Sequence, residues 1–178
     1  MSVEQYRAKV KGGVWQAIAQ SKVDLSSVPA EEQNKLVESI SDQVLLSVNE
    51  LIQEQVGTQI QKPPVELTDD EQIVWEGKPF LSLVEYYVIT TDRIKIAKGL
   101  LGKDYENYEL IRIQDIDVSQ GFGERILGIG DVTVTGADPS LPTVTLRNVK
   151  DPRGVYEVMR KAWLAARKKY GLIFREDM

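Results

Sequence analysis

The sequence predicts an α+β chain: an N-terminal helical segment followed by a bent β-sandwich or barrel capped by a C-terminal α-helix. Three observations carry this reading. Apolar residues recur every three or four positions before residue 57, alternate with polar ones in short runs between residues 83 and 147, and return to helical spacing after Asp151. The 178 residues are 42% hydrophobic, enough to bury a core.

Residues 3–20 set Val3, Tyr6, Val10, Val14 and Ile18 on one helical face, although Gly12-Gly13 weakens its middle. Ser26-Ser27-Val28-Pro29 followed by Glu31 and Glu32 has the chemistry of a helix start: a serine cap, proline in the first turn and acids at the positive end. That second helix runs to about Gln55, with apolar positions Leu36, Val37, Ile40, Val44, Leu45, Val48, Leu51, Ile52 and Val56. The stripe is wide enough to need a covering partner. Gly57 and Pro63-Pro64 end it and residues 58–65 read as a linker, dividing the chain near residue 62 into a helical segment, 1–62, and a β domain, 63–178.

Strand signals follow. Residues 83–90 are β-branched and aromatic, Thr91-Asp92 makes a tight turn, and residues 93–97 set Ile94 and Ile96 against Arg93 and Lys95, so a hairpin is expected. Residues 99–104 form a loop, and strands are expected at 105–113, 116–119, 132–135 and 144–147. Short strands at this spacing build a small sandwich or barrel. Asp151 then caps a last helix with Pro152 in its first position and Val155, Met159, Ala162, Trp163, Ala166 and Tyr170 on its apolar face, placed to plug an open end of the barrel.

The run GFGERILGIGDVTVT at 121–135 tests for phosphate binding. A P-loop needs Lys-Ser or Lys-Thr where Ile129-Gly130 stands, and a dinucleotide fingerprint needs a third glycine where Ile126 stands, with a helix rather than a strand after it. The glycines read instead as a bend between strands, and no nucleotide is expected. Asp69, Asp70 and Glu71 lack the spacing of a calcium loop, whereas Thr68 to Glu71 fits a capping box on a short helical turn. Trp75 and Trp163 read as core anchors and Trp15 as part of the helical interface.

Composition removes several function classes. With no cysteine and no histidine there is no disulfide, thiol nucleophile, Ser-His-Asp triad or zinc site of the usual ligands. Only carboxylate, lysine, tyrosine or backbone chemistry remains, and no catalytic residue, metal ligand or cofactor is expected. A net charge of −5 disfavours a nucleic-acid partner. The first residues mix charges without a signal-peptide core, and no run of about 18 apolar residues occurs, so the expected home is the cytoplasm.

The strings WEGKP at 75–79, YYVITTDRIKIAKG at 86–99, ELIRIQDIDVSQG at 109–121, ERILGIGDVTV at 124–134 and VKDPRGVYEVMRKA at 149–162 together resemble a bacterial pleckstrin-homology (PH)-like domain over residues 66–170. The resemblance implies a seven-stranded, strongly bent pair of sheets closed by the C-terminal helix. Many members carry transmembrane helices where this chain has its helical segment, and one group forms rings of subunits. Eukaryotic relatives often bind phosphoinositides through cations around the first hairpin loop, which is here read as Thr91-Asp92, short and acidic.

Two surfaces carry the functional expectation. The first is self-association through Leu36, Ile40, Val44, Val48 and Leu51, which makes the chain a non-enzymatic protein-interaction or oligomerisation module with a protein partner or a second copy of itself. The alternative is peripheral contact with anionic lipid through Arg160, Lys161, Arg167, Lys168 and Lys169 on the final helix.

Overall fold

A computed structural model describes residues 3–57, 66–99, 104–137, 139 and 141–171. The expected linker at 58–65 and most of the expected loop at 99–104 lie outside these residues. Two helices open the chain, α1 (Val3–Ser21) and α2 (Ala30–Gly57). Seven strands follow: β1 (Ile73–Gly77), β2 (Glu85–Thr90), β3 (Arg93–Lys98), β4 (Asp104–Glu109), β5 (Ile113–Ser119), β6 (Ile129–Gly136) and β7 (Thr143–Lys150). A short helix, α3 (Phe122–Ile126), joins β5 to β6, and α4 (Pro152–Lys169) ends the fold.

The strands make two antiparallel sheets, ordered β1-β2-β3-β4 and β5-β6-β7. They are separate sheets rather than a closed barrel, which leaves edge strands in both. Val88, Ile89, Ile94 and Ile96 from the first sheet and Val132, Val134, Val144 and Leu146 from the second are buried. The main core joins residues of both sheets to Val155, Met159, Ala162 and Ala166 of α4. The helix therefore covers the core between the sheets, and its Asp151 cap forms as expected, accepting from the Gly154 N–H at 3.1 Å. Trp75 and Trp163 pack against the same core.

Four local expectations are corrected. The strand expected over 105–113 is broken by a 3-10 turn, Leu110–Arg112, where the chain passes from one sheet to the other, and β5 begins at Ile113. Alternation of side chains cannot show such a corner, because Leu110 stays buried through it. The serines at 26 and 27 lie in a turn closed by Val28 N–H to the Leu25 carbonyl; α2 starts after Pro29, whose carbonyl accepts from Gln33. β1 is an additional strand, so the loop of the first hairpin is 78–84, with Lys78 as its one cation, and Thr91-Asp92 turns the second hairpin.

The fourth concerns the glycine run. Its first half is the helix α3 rather than a simple bend, and Gly128, at φ 68°, ends it before β6. The reading against a phosphate loop is unaffected, because the groups at hand are protein ones: Gly121 N–H donates to Glu124 and Gly123 N–H donates to Glu4 of α1 at 3.2 Å. Gly136 has a different duty, since a Cβ there would run into the Tyr108 hydroxyl and the Arg112 carbonyl. Neither neighbour can retreat cheaply, so Gly136→Ala is expected to cost about 1 to 3 kcal/mol. Thermal denaturation of the variant measures this directly.

Candidate interaction surfaces

The helical segment forms an antiparallel hairpin clasped by charge. Arg7 grips Asp42 through two hydrogen bonds, 2.6 and 2.8 Å, and Lys11 pairs with Glu38 at 2.8 Å. Asp42, accepting both bonds from the Arg7 guanidinium, raises the Arg7 pKa against the opposing effect of burial. Between the helices Val37 and Ser41 are buried, the Ser41 hydroxyl donating to the Val37 carbonyl at 2.6 Å.

The hairpin lies against the sheets through a second apolar cluster, in which Val3 and Leu45 meet Phe80, Leu127 and Ile129. Asn49 accepts from the Leu81 N–H at 2.9 Å, and Glu4 holds α3 as described. One side of α2 is thus already used. The five residues expected to mediate self-association flank that packed side and stay partly open to solvent: Leu36, Ile40, Val44, Val48 and Leu51 are between 38% and 57% exposed. Helix propensity cannot explain such a row, since any good helix former would serve at a solvent-facing position. The polar positions interleaved with it, Ser39, Gln43 and Ser47, carry no charge; of the acids that flank it, Glu38 and Asp42 are engaged by α1 and Glu32, Glu50 and Glu54 are exposed.

The cations expected to touch anionic lipid are not equivalent. Arg160, Lys161 and Lys168 are exposed on α4, beside Leu164 at 44% exposure. Arg167 lies over the Trp163 ring, 5.5 Å from its centroid, and Lys169 pairs with Asp92 at 3.2 Å, which raises the lysine pKa. Two of the five are therefore held by the protein itself.

A groove of about 680 Å³ runs between α2 and the sheets, and nothing in the sequence pattern marked it. Trp75, Phe80, Leu127 and Ile129 give it an apolar floor. Leu46, Asn49, Glu50, Gln53 and Glu54 form its α2 wall, and Lys78, Lys150 and Asp151 stand at its rim. On the neighbouring strand, burial and the Glu76 carboxylate push the Tyr86 hydroxyl up to about 12.

A charged network behind the second hairpin was also missed. The expected capping box at 68–71 is a turn, not a helix, and Glu71 within it is buried. Its carboxylate accepts from the Arg93 guanidinium at 2.9 and 2.6 Å, from the Thr90 hydroxyl at 2.6 Å and from the Thr68 N–H at 3.3 Å. Burial alone would raise the Glu71 pKa, but these donors prevail and lower it to about 2. No group of three or more potential metal ligands occurs among the described residues, and no helix there is long and apolar enough to cross a membrane.

Residues 79–163, from just after β1 into α4, match the family model of the bacterial PH domain. The match assigns that span, a little under half of the chain, to a bacterial PH domain. The matched span is narrower than the 66–170 of the resemblance. No curated protein matches the sequence. Among solved structures the chain is similar to the Vps36 N-terminal PH domain, with 15% identity over 59% of this chain and 86% of that one and a TM-score of 0.43. It is similar as well to a DUF1696 family protein with a pleckstrin-homology domain from Shewanella loihica PV-4, with 15% identity, coverage of 65% and 92%, and a TM-score of 0.42. A pleckstrin-homology domain from Shewanella amazonensis SB2B gives 13%, 65% and 87%, and 0.40. The PH domain is a platform that hosts unrelated functions, so the reading of this one rests on its surfaces.

Proposed function

We propose that this bacterial PH-domain protein is a non-enzymatic, cytoplasmic self-association module in which the helical segment before residue 62 joins one copy to another. The observation that carries the reading is the exposed, uncharged row on α2, flanking the side of that helix that is already packed. A second copy is the occupant that charge favours. The chain has a net charge of −5, so two copies repel on average, and the row itself adds no charge to that repulsion. Four of its residues follow i+4 spacing, which is the ridge that packs into an identical ridge at a crossing angle of about −50°. Light scattering over a dilution series is expected to give a mass of at least twice the 20.1 kDa chain at high concentration. A mass of one chain at every concentration would sink the proposal.

The second reading, peripheral attachment to anionic membranes, is supported by Arg160, Lys161 and Lys168 standing exposed around Leu164. At about 1 kcal/mol per cation near a charged surface, three give weak and salt-sensitive binding. Flotation with phosphatidylserine-rich vesicles is expected at low salt, falling away at high salt. Recovery that is indifferent to lipid charge and to salt, or unchanged by replacing all three cations with glutamate, removes this reading.

A further inference from the structure

We infer that the groove between α2 and β1 receives an extended peptide segment of alternating apolar and basic residues, which adds a strand to the free edge of β1. The surface is distinct from the exposed row on α2, and the inference stands whether or not the chain self-associates.

Four successive residues, Trp75, Glu76, Gly77 and Lys78, line the groove. Successive residues of a strand point to opposite faces, so a cavity lined by all of them runs along the strand's edge rather than over one face. That edge is open: β1 is the end strand of its sheet, and among the described residues it pairs only with β2. An edge strand presents a row of unpaired N–H and C=O groups, and pairing with an extended chain is the usual way such a row is satisfied by a partner. The bulge between Ile73 and Trp75 confines regular pairing to the stretch that lines the groove.

The surroundings choose the occupant. Alternate side chains of an added strand would lie on the floor of Trp75, Phe80 and Leu127, while those of the other set meet the α2 wall, where the charged residues are Glu50 and Glu54, both exposed. An apolar and cationic alternation satisfies both. Among the described residues such runs lie in α1, where Arg7, Lys9 and Lys11 alternate with Ala8 and Val10, and in β3, where Arg93 and Lys95 flank Ile94; the first is helical and the second already lies between β2 and β4. Among the described residues a folded copy of this chain therefore has no such segment free to offer, and the partner is a different polypeptide.

The test uses the full chain and three capped hexapeptides: alternating valine and lysine, the same sequence with N-methylated alternate amides, and alternating valine and glutamate. The valine–lysine peptide is expected to bind in calorimetry and to slow amide hydrogen exchange in β1. N-methylation, which deletes strand pairing and keeps the side chains, should weaken binding roughly tenfold or more. The surface variant Glu50→Lys with Glu54→Lys should reverse the preference between the lysine and glutamate peptides. Absence of binding at millimolar peptide, equal affinity of the methylated peptide, an unchanged preference in the charge-reversed variant, or protection away from β1 would each overturn the inference. Displacement of the peptide by raising the protein concentration would assign the groove to a second copy and overturn it as well.

Discussion

Replacing Val44 and Val48 with aspartate is expected to yield a folded chain that stays at the mass of one copy at every concentration. Both valines are about 40% exposed in the isolated chain, so the change should disturb folding by roughly 0.5 kcal/mol or less per site. In an α2-to-α2 contact the same carboxylates would be stripped of water with no cation within the row to receive them, at a cost of several kcal/mol each. The balance is sensitive. Five half-exposed apolar side chains from each copy contribute about 1 kcal/mol apiece, while association costs about 4 to 15 kcal/mol. Wild-type assembly should therefore be concentration dependent, and two carboxylates per copy should abolish it. Circular dichroism shows whether the variant is folded, and sedimentation velocity reads its mass. A variant that still assembles like the wild type would place the contact elsewhere.

Glu71→Gln is expected to lower stability by about 2 to 3 kcal/mol at neutral pH, from the size of the pKa shift after allowance for the partly hydrated Arg93. For a chain of this length that corresponds to a fall in Tm of roughly 4 to 12 °C. The pH dependence identifies the cause. The Glu71 pKa falls from 4.5 when unfolded to about 2 when folded. Its contribution is therefore complete above about pH 4.5 and lost as pH drops toward 2. Wild type and variant should differ fully at pH 7 and converge near pH 2, as followed by urea unfolding at each pH. A gap that is constant with pH would mean that the variant acts through packing instead of through the ion pair.

The elements most legible in the sequence are those whose side chains face one environment along their whole length. α2 and α4 repeat apolar residues at three and four, and Asp151-Pro152 announces where α4 begins, so both were read nearly to their ends. β3, β6 and β7 alternate clearly because each has one face in the core and one outside. β1 was not read. Its burial does alternate, but an apolar Val74 on the exposed side hides the alternation in only five residues with a bulge after the first, and its pairing is with residues 87–90, visible only once the chain has folded back. α3 was missed for a similar reason: glycines at 121 and 123 argue against a helix locally, and what holds it is contact with Glu4, more than a hundred residues earlier.

The same division holds for the surfaces. The apolar row on α2 and the cations on α4 are periodic, and periodicity is a property of the chain alone. Which side of α2 remains uncovered is not, because the helix has apolar residues on more than one side. The face taken by Leu45 was decided by where Phe80, Leu127 and Ile129 come together. The Glu71 and Arg93 pair and the groove beside β1 are likewise products of distance in space between residues remote in sequence. Local pattern specified the three long helices, most strands and the residues able to form an interface. Tertiary packing decided which of those residues stay available, because exposure is what remains after every other contact has formed.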